Sequence, residues 1–165
     1  MNNKSLETLI REELARAKAS VTPTDNVVLS LAKQLSAAVE EEAARIGVNA
    51  VVAISDRAAR PVLIHVMEDA YIASYDVALQ KAYTVVALKM STMDLKPLAQ
   101  PGGSLYGIQF TNDGQIVIFG GGEPLKAGGR VIGGLGVSGG SEEQDAALAA
   151  FGANVFARLV KDASN

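Results

Sequence analysis

The segment from Gln115 to Asp145, QIVIFGGGEPLKAGGRVIGGLGVSGGSEEQD, decides how this chain is read. Ile116-Val117-Ile118-Phe119 is an apolar run that meets Gly120-Gly121-Gly122, turns through Glu123-Pro124-Leu125 and restarts at Arg130. A second apolar run then meets Gly139-Gly140 and the polar start of a helix. Glycine permits positive φ and close backbone approach, so two buried strands with glycine shoulders predict a tightly packed sheet beside a backbone-walled crevice.

Working back toward the N-terminus, the elements alternate in kind. Val28, Leu31, Ala32, Leu35, Ala38, Val39 and Ile46 give one apolar helical face, from a start near Thr24 or Asp25 to Arg45, with Gly47 as the stop. Ala50–Ser55 and Pro61–Met67 read as paired strands, the second placing Val62, Ile64 and Val66 on one face and Leu63, His65 and Met67 on the other. A helix capped by Ser74 or Asp76 runs to about Met90, residues 91–103 form a loop, and Leu105–Phe110 is a strand followed by a turn at Asn112-Asp113-Gly114. Working forward, Ser141 with Gln144 three residues on has capping-box spacing, and Ala147, Leu148, Phe151, Val155 and Leu159 form the last helix's stripe.

The order α-β-β-α-β-β-β-α with hairpin-length connections predicts an α+β chain of the α/β class: a five-stranded antiparallel sheet flanked by helices. Ahead of it, Leu6, Leu9, Ile10 and Leu14 make an amphipathic helix, either an extra helix packed on the same core or a docking peptide for a groove on a partner, ended by Val21-Thr22-Pro23-Thr24. The expected organisation is therefore a helical segment at 1–20, a linker at 21–24 and a domain at 25–165.

Composition narrows the function classes. At 165 residues, 48% hydrophobic and 20% charged, the chain supports one globular core. A net charge of -3 without a basic block argues against a nucleic-acid partner. With no cysteine there are no disulfides, thiolate metal sites or cysteine nucleophiles, as fits a cytoplasmic protein. No apolar run approaches the ~20 residues of a membrane span, and charges interrupt the N-terminus too often for a secretory signal.

Three motifs carry a family resemblance. Ser74-Tyr75-Asp76-Val77-Ala78-Leu79-Gln80-Lys81-Ala82-Tyr83-Thr84 is similar to an S-x-D-x-A-x-x-K-A-x-T helix, Gly120 to Leu125 to a G-G-x-P segment, and Gly133 to Asp145 to a G-x-x-G-V-S-G-x-x-x-x-Q-D ending. In this order they resemble the GlcG/HbpS haem-binding family, including the C-terminal domain of PduO-type cobalamin adenosyltransferases, over about Asp25 to Asp162. The resemblance implies a profilin-like fold, homo-oligomers from dimer to octamer, and a haem or corrinoid ligand. It does not bring adenosyltransferase activity, which belongs to a different domain of those enzymes. The first eighteen residues resemble encapsulation peptides of bacterial microcompartments, which implies a shell-protein partner and a place in the compartment lumen.

The ligand-site candidates are His65, Asp76, Lys81, Gly120, Gly121, Gly122, Pro124 and Gly139. His65 is the sole histidine and so the sole imidazole available to a metal; its other role is a packed or hydrogen-bonded strand residue. Relatives can use a histidine in the first core helix, and residues 27–45 contain none. Lys81 and the glycine amides suit an anionic group such as a haem propionate or small carboxylate, or else Lys81 reaches the surface while Asp76 caps its helix. No residues assemble a catalytic set, since one histidine leaves little general-base machinery. Two other functions fit the same sequence: a small-molecule lyase, isomerase or redox helper, and a structural protein with a vestigial pocket.

Overall fold

The computed structural model describes Thr8, Ile10 and residues 25–163. Of the docking positions, Leu6, Leu9 and Leu14 lie outside the described residues; Ile10 is in helical backbone and half exposed. The element order is α1 (Leu29–Arg45), β1 (Val51–Asp56), β2 (Pro61–Val66), α2 (Ile72–Leu88), α3 (Thr92–Leu98), two single 3-10 turns (Ile108–Phe110 and Asn112–Gly114), β3 (Gly122–Ala127), β4 (Arg130–Ser138) and α4 (Glu142–Asp162).

The strands form one antiparallel sheet in the order β2-β1-β4-β3. The α+β class therefore holds, with four strands among the described residues rather than the expected five. Leu105–Phe110 is not a strand: Gly107 at φ 89° turns the chain, and Phe110 is 82% exposed. Ile116 and Val117 are buried but join no ladder, because the Val117 amide donates to Thr84 Oγ1 on α2 (3.0 Å) instead of to a strand. The turn expected at Glu123-Pro124-Leu125 is strand β3. Pro124 sits opposite Gly134 on this edge strand, where a missing N–H is tolerated. The reversal lies at Gly128-Gly129, whose positive φ angles of 54° and 77° suit a two-residue hairpin loop.

Both sheet faces are covered. On one, Val52, Ile54, Leu135 and Val137 join Leu35 and Val39 of α1 and Leu148 and Phe156 of α4 in the main core. On the other, Val51 and Ala53 pack with Ala78 and Ala82 of α2. Here β4 carries Gly134 and Gly136, and a Cβ on Gly136 would lie 1.9 Å from the Ala78 carbonyl oxygen. The bare backbone is what lets α2 sit so low on the sheet.

Helix boundaries depart from the sequence expectations for local reasons. α1 starts at Leu29 because Asn26 Oδ1 accepts from the Val27 and Arg57 amides, holding the preceding residues out of the helix. α2 starts at Ile72 without a side-chain cap, so neither Ser74 nor Asp76 caps it. The expected loop after Met90 contains α3, capped by Ser91 Oγ accepting from the Asp94 amide. The capping box at Ser141 and Gln144 is present as expected. The buried stripe of α4 is Asp145, Leu148, Ala149, Gly152, Phe156 and Val160, one residue out of phase with expectation, and Phe151 is exposed. Gly152 fixes that phase, since a Cβ there would meet Leu135 and Val39 at 2.5 and 2.8 Å.

Candidate functional site

The three motif segments meet at one end of the β3–β4 pair. Lys81 is fully buried on α2. Its ammonium donates to Asp145 Oδ2 on α4 (2.9 Å) and to the Val137 carbonyl on β4 (2.8 Å), and lies 5.0 Å from the centre of the Phe119 ring. Asp145 Oδ1 in turn accepts from the Gly140 amide at 2.9 Å. The pair thus ties the helix on one sheet face to a helix on the other. Burial pushes the Lys81 ammonium below its ordinary pKa and is opposed by Asp145. Burial likewise pushes the Asp145 carboxyl up, opposed chiefly by Lys81 and then by the Gly140 amide. Mutual attraction and satisfied hydrogen bonds are what make such a pair tenable.

The glycines wrap this pair closely. At Gly121, with φ 115°, a Cβ would stand 2.5 Å from Lys81 Nζ and 2.6 Å from the Val137 oxygen. The Gly120 amide donates to Glu142 Oε1 (2.8 Å), while Lys96 holds Glu142 Oε2 at 2.6 Å. These contacts, the Gly120 amide first, lower the Glu142 pKa. The Gly122 amide donates to Thr92 Oγ1 at 2.9 Å.

Beside the clamp is a cleft of about 370 Å³. Tyr71, Val77 and Phe119 supply its apolar walls, and Ser74, Ser138 and Asp145 bring polar atoms to it. Ser138 Oγ donates to Ser74 Oγ at 3.1 Å, tying β4 to α2. A second hollow of about 470 Å³, lined by Asn49, Asp69 and Gln144 among others, shares Tyr71 and Gly140 with the first.

Of the sequence candidates, the fold brings Lys81, Gly120, Gly121, Gly122 and Gly139 together. Lys81 reaches neither the surface nor open space, since protein groups occupy its ammonium. Asp76 is exposed on α2, and Pro124 is buried in β3. His65 is elsewhere. It pairs across to Val52, which pairs to Val137, so β2 and β4 stand two strand spacings (about 10 Å) apart. Its ring faces α1, where Nδ1 meets Glu40 Oε1 at 2.7 Å and Ser36 Oγ at 3.3 Å. The cleft is also lined by Tyr71, Phe119, Ser138 and Asp145, which the sequence had not singled out as candidates; only the third motif contains the last two.

A family model described as haem degrading protein HbpS-like matches residues 27–154. The chain belongs to the HbpS-like family. This HbpS-like chain is 44% identical over 133 residues to an uncharacterised 15.0 kDa protein from the dhaT–dhaS intergenic region of Citrobacter freundii, covering 81% of this chain and 94% of that one. It is 40% identical over 148 residues to the corrinoid adenosyltransferase PduO of Salmonella typhimurium, covering 86% of this chain but only 44% of the enzyme. Among solved structures, a PduOC–haem complex superposes with a TM-score of 0.73 at 40% identity, covering 76% of this chain and 91% of that one.

Among the described residues, no group of three or more His, Cys, Asp or Glu side chains is arranged to hold a metal ion, and no helix is long and apolar enough to cross a membrane.

Proposed function

We propose that this HbpS-like chain is a haem- or corrinoid-binding accessory protein whose tetrapyrrole lies against the cleft between Tyr71 and Phe119. The observation that carries the reading is that two of the three motif segments line that cleft, Ser74 and Val77 from the first and Ser138, Gly140 and Asp145 from the third, with Phe119 immediately ahead of the second. Its apolar walls suit a flat macrocycle, and the ligand class follows from the haem complex of the PduO relative. The volume is at the low end of the roughly 300–1,000 Å³ typical of small-molecule sites. One copy therefore covers only part of a macrocycle, and a homo-oligomer completes the enclosure. Lys81 acts indirectly: it fixes Asp145 and the glycine backbone that form the floor. Residues 1–20 serve as a docking helix for a microcompartment shell protein, and the chain has no adenosyltransferase activity of its own.

A second reading draws support from His65. Its Nδ1 lies 2.7 Å from Glu40 Oε1, the carboxylate contact that in metal sites orients an imidazole whose other nitrogen meets the metal. In that reading the iron sits on the α1 face instead.

Titration of the full chain with haemin and with cobalamin distinguishes these. The cleft reading predicts a saturable Soret or corrin-band shift, weakened about tenfold or more by Val77→Trp, which fills the cleft, and unchanged by His65→Ala. Loss with His65→Ala alone moves the iron to the α1 face, and a flat titration with both ligands overturns both readings. For the N-terminal segment, a reporter fused to residues 1–20 is expected to co-localise with shells in compartment-forming cells; a diffuse reporter contradicts that role.

A further inference from the structure

At the opposite end of the β3–β4 hairpin lies a separate hollow of about 470 Å³, lined by Lys89, Lys126, Gly129, Arg130 and Val131. Every charged side chain lining it is cationic, although acids outnumber Lys and Arg by 18 to 15 in the whole chain. The three come from independent elements. Lys89 leaves the end of α2 in a left-handed conformation (φ 57°), Lys126 stands on edge strand β3, and Arg130 opens β4 after the tight turn. The hairpin turn and the end of α2 thus hold like charges together that would otherwise separate. All three are solvent-exposed.

Two acids lie near enough to matter. Asp25 Oδ1 accepts from one Arg130 terminal nitrogen at 3.1 Å, which leaves most of the guanidinium's five N–H donors for another acceptor. Glu123 interacts electrostatically with Lys126, but burial raises the pKa of its carboxyl and Asp94 raises it further. Among the described residues neither Lys89 nor Lys126 makes an ion pair at salt-bridge distance.

We propose that the Lys89–Lys126–Arg130 hollow is a binding site for a small ligand carrying two or more negative charges, of the phosphate-ester or polycarboxylate class. Two mobile ammonium groups adapt to different anion shapes, while the planar guanidinium takes two oxygens of one phosphate or carboxylate. A singly charged anion leaves the cluster largely uncompensated and binds far more weakly. The site is independent of the Tyr71–Phe119 cleft, which lies at the other end of β3 and β4.

Isothermal titration of the full chain with pyrophosphate and, separately, citrate tests this. The expected result is one site per chain for at least one of them, with affinity falling steeply as salt rises. Lys126→Ala should weaken it about tenfold, and Lys89→Ala with Lys126→Ala should remove it. Lys33→Ala, an exposed lysine on α1, is the control and should leave it unchanged. Binding of pyrophosphate alone assigns the phosphate class, and of citrate alone the polycarboxylate class. No saturable heat from either at millimolar ligand, or binding indifferent to the double variant, overturns the proposal. The substituted residues are exposed, and an unchanged unfolding midpoint will show that any loss is local; Val77→Trp should leave anion binding intact.

Discussion

Asp145 holds a carboxylate out of water with Lys81 as its partner, so removing the lysine leaves a buried anion uncompensated. Lys81→Met is expected to cost about 3–5 kcal/mol by urea denaturation, while Lys81→Met with Asp145→Leu restores much of that loss. A cost below about 1 kcal/mol for the single variant would mean that solvent reaches the carboxylate freely. Glu123 behaves in the other direction. Its folded pKa is raised by burial first and by Asp94 second, so the folded state binds more protons than the unfolded one just above the ordinary value of 4.5. Stability from this group is therefore present below that pH and is lost as pH rises through the folded pKa. Glu123→Gln should raise the thermal midpoint at pH 7 and flatten this part of the pH profile; an unchanged profile would contradict the assignment. At this scale the sequence was partly informative. A lysine among Ala78, Ala82 and Val85 advertised a need for a partner, but Asp145 is 64 positions away and reads locally as one more acid at a helix start.

Between elements, the closest fit is α2 on the glycine-bearing face of β4. Gly136→Ala places a methyl group against the Ala78 carbonyl and should cost about 1–3 kcal/mol or more by overpacking. Equilibrium denaturation measures it, and a neutral substitution would show that α2 can lift without penalty. Helix α1, the β1–β2 hairpin and the capping box of α4 were all legible, because periodicity and capping are local signals. The β3 boundaries were not. Ile116-Val117-Ile118-Phe119 has strand composition, yet a threonine hydroxyl on α2 takes the Val117 amide that a ladder would need. The phase of α4 escaped for a related reason: Phe151 outweighs Gly152 in apolar character, whereas the crowded contact with Leu135 and Val39 selects the glycine. Helix α3 fell inside the stretch read as a loop, because the prolines and glycines of residues 91–103 masked the seven-residue helix that Ser91 caps and that carries Pro97 inside it.

For the whole molecule, two helical layers clamp one sheet, and the Tyr71–Phe119 cleft opens where the Lys81–Asp145 pair crosses the end of β3 and β4. Among the described residues the main core runs from Val27 to Val160. The docking role proposed for residues 1–20 predicts that deleting them leaves the unfolding midpoint and the haemin titration close to those of the full chain; a large loss of either would make the segment part of the folded unit. The family was legible because its motifs are spaced along the chain in order. The separation of His65 from Lys81 was not, since the face on which a strand residue lands relative to a distant helix is fixed only by the assembled sheet. The most direct test of the tetrapyrrole site is the position of iron in crystals of the haemin complex, located by anomalous scattering at the iron edge. The account predicts iron over the Tyr71–Phe119 cleft; iron bound to His65 on the α1 face would contradict it.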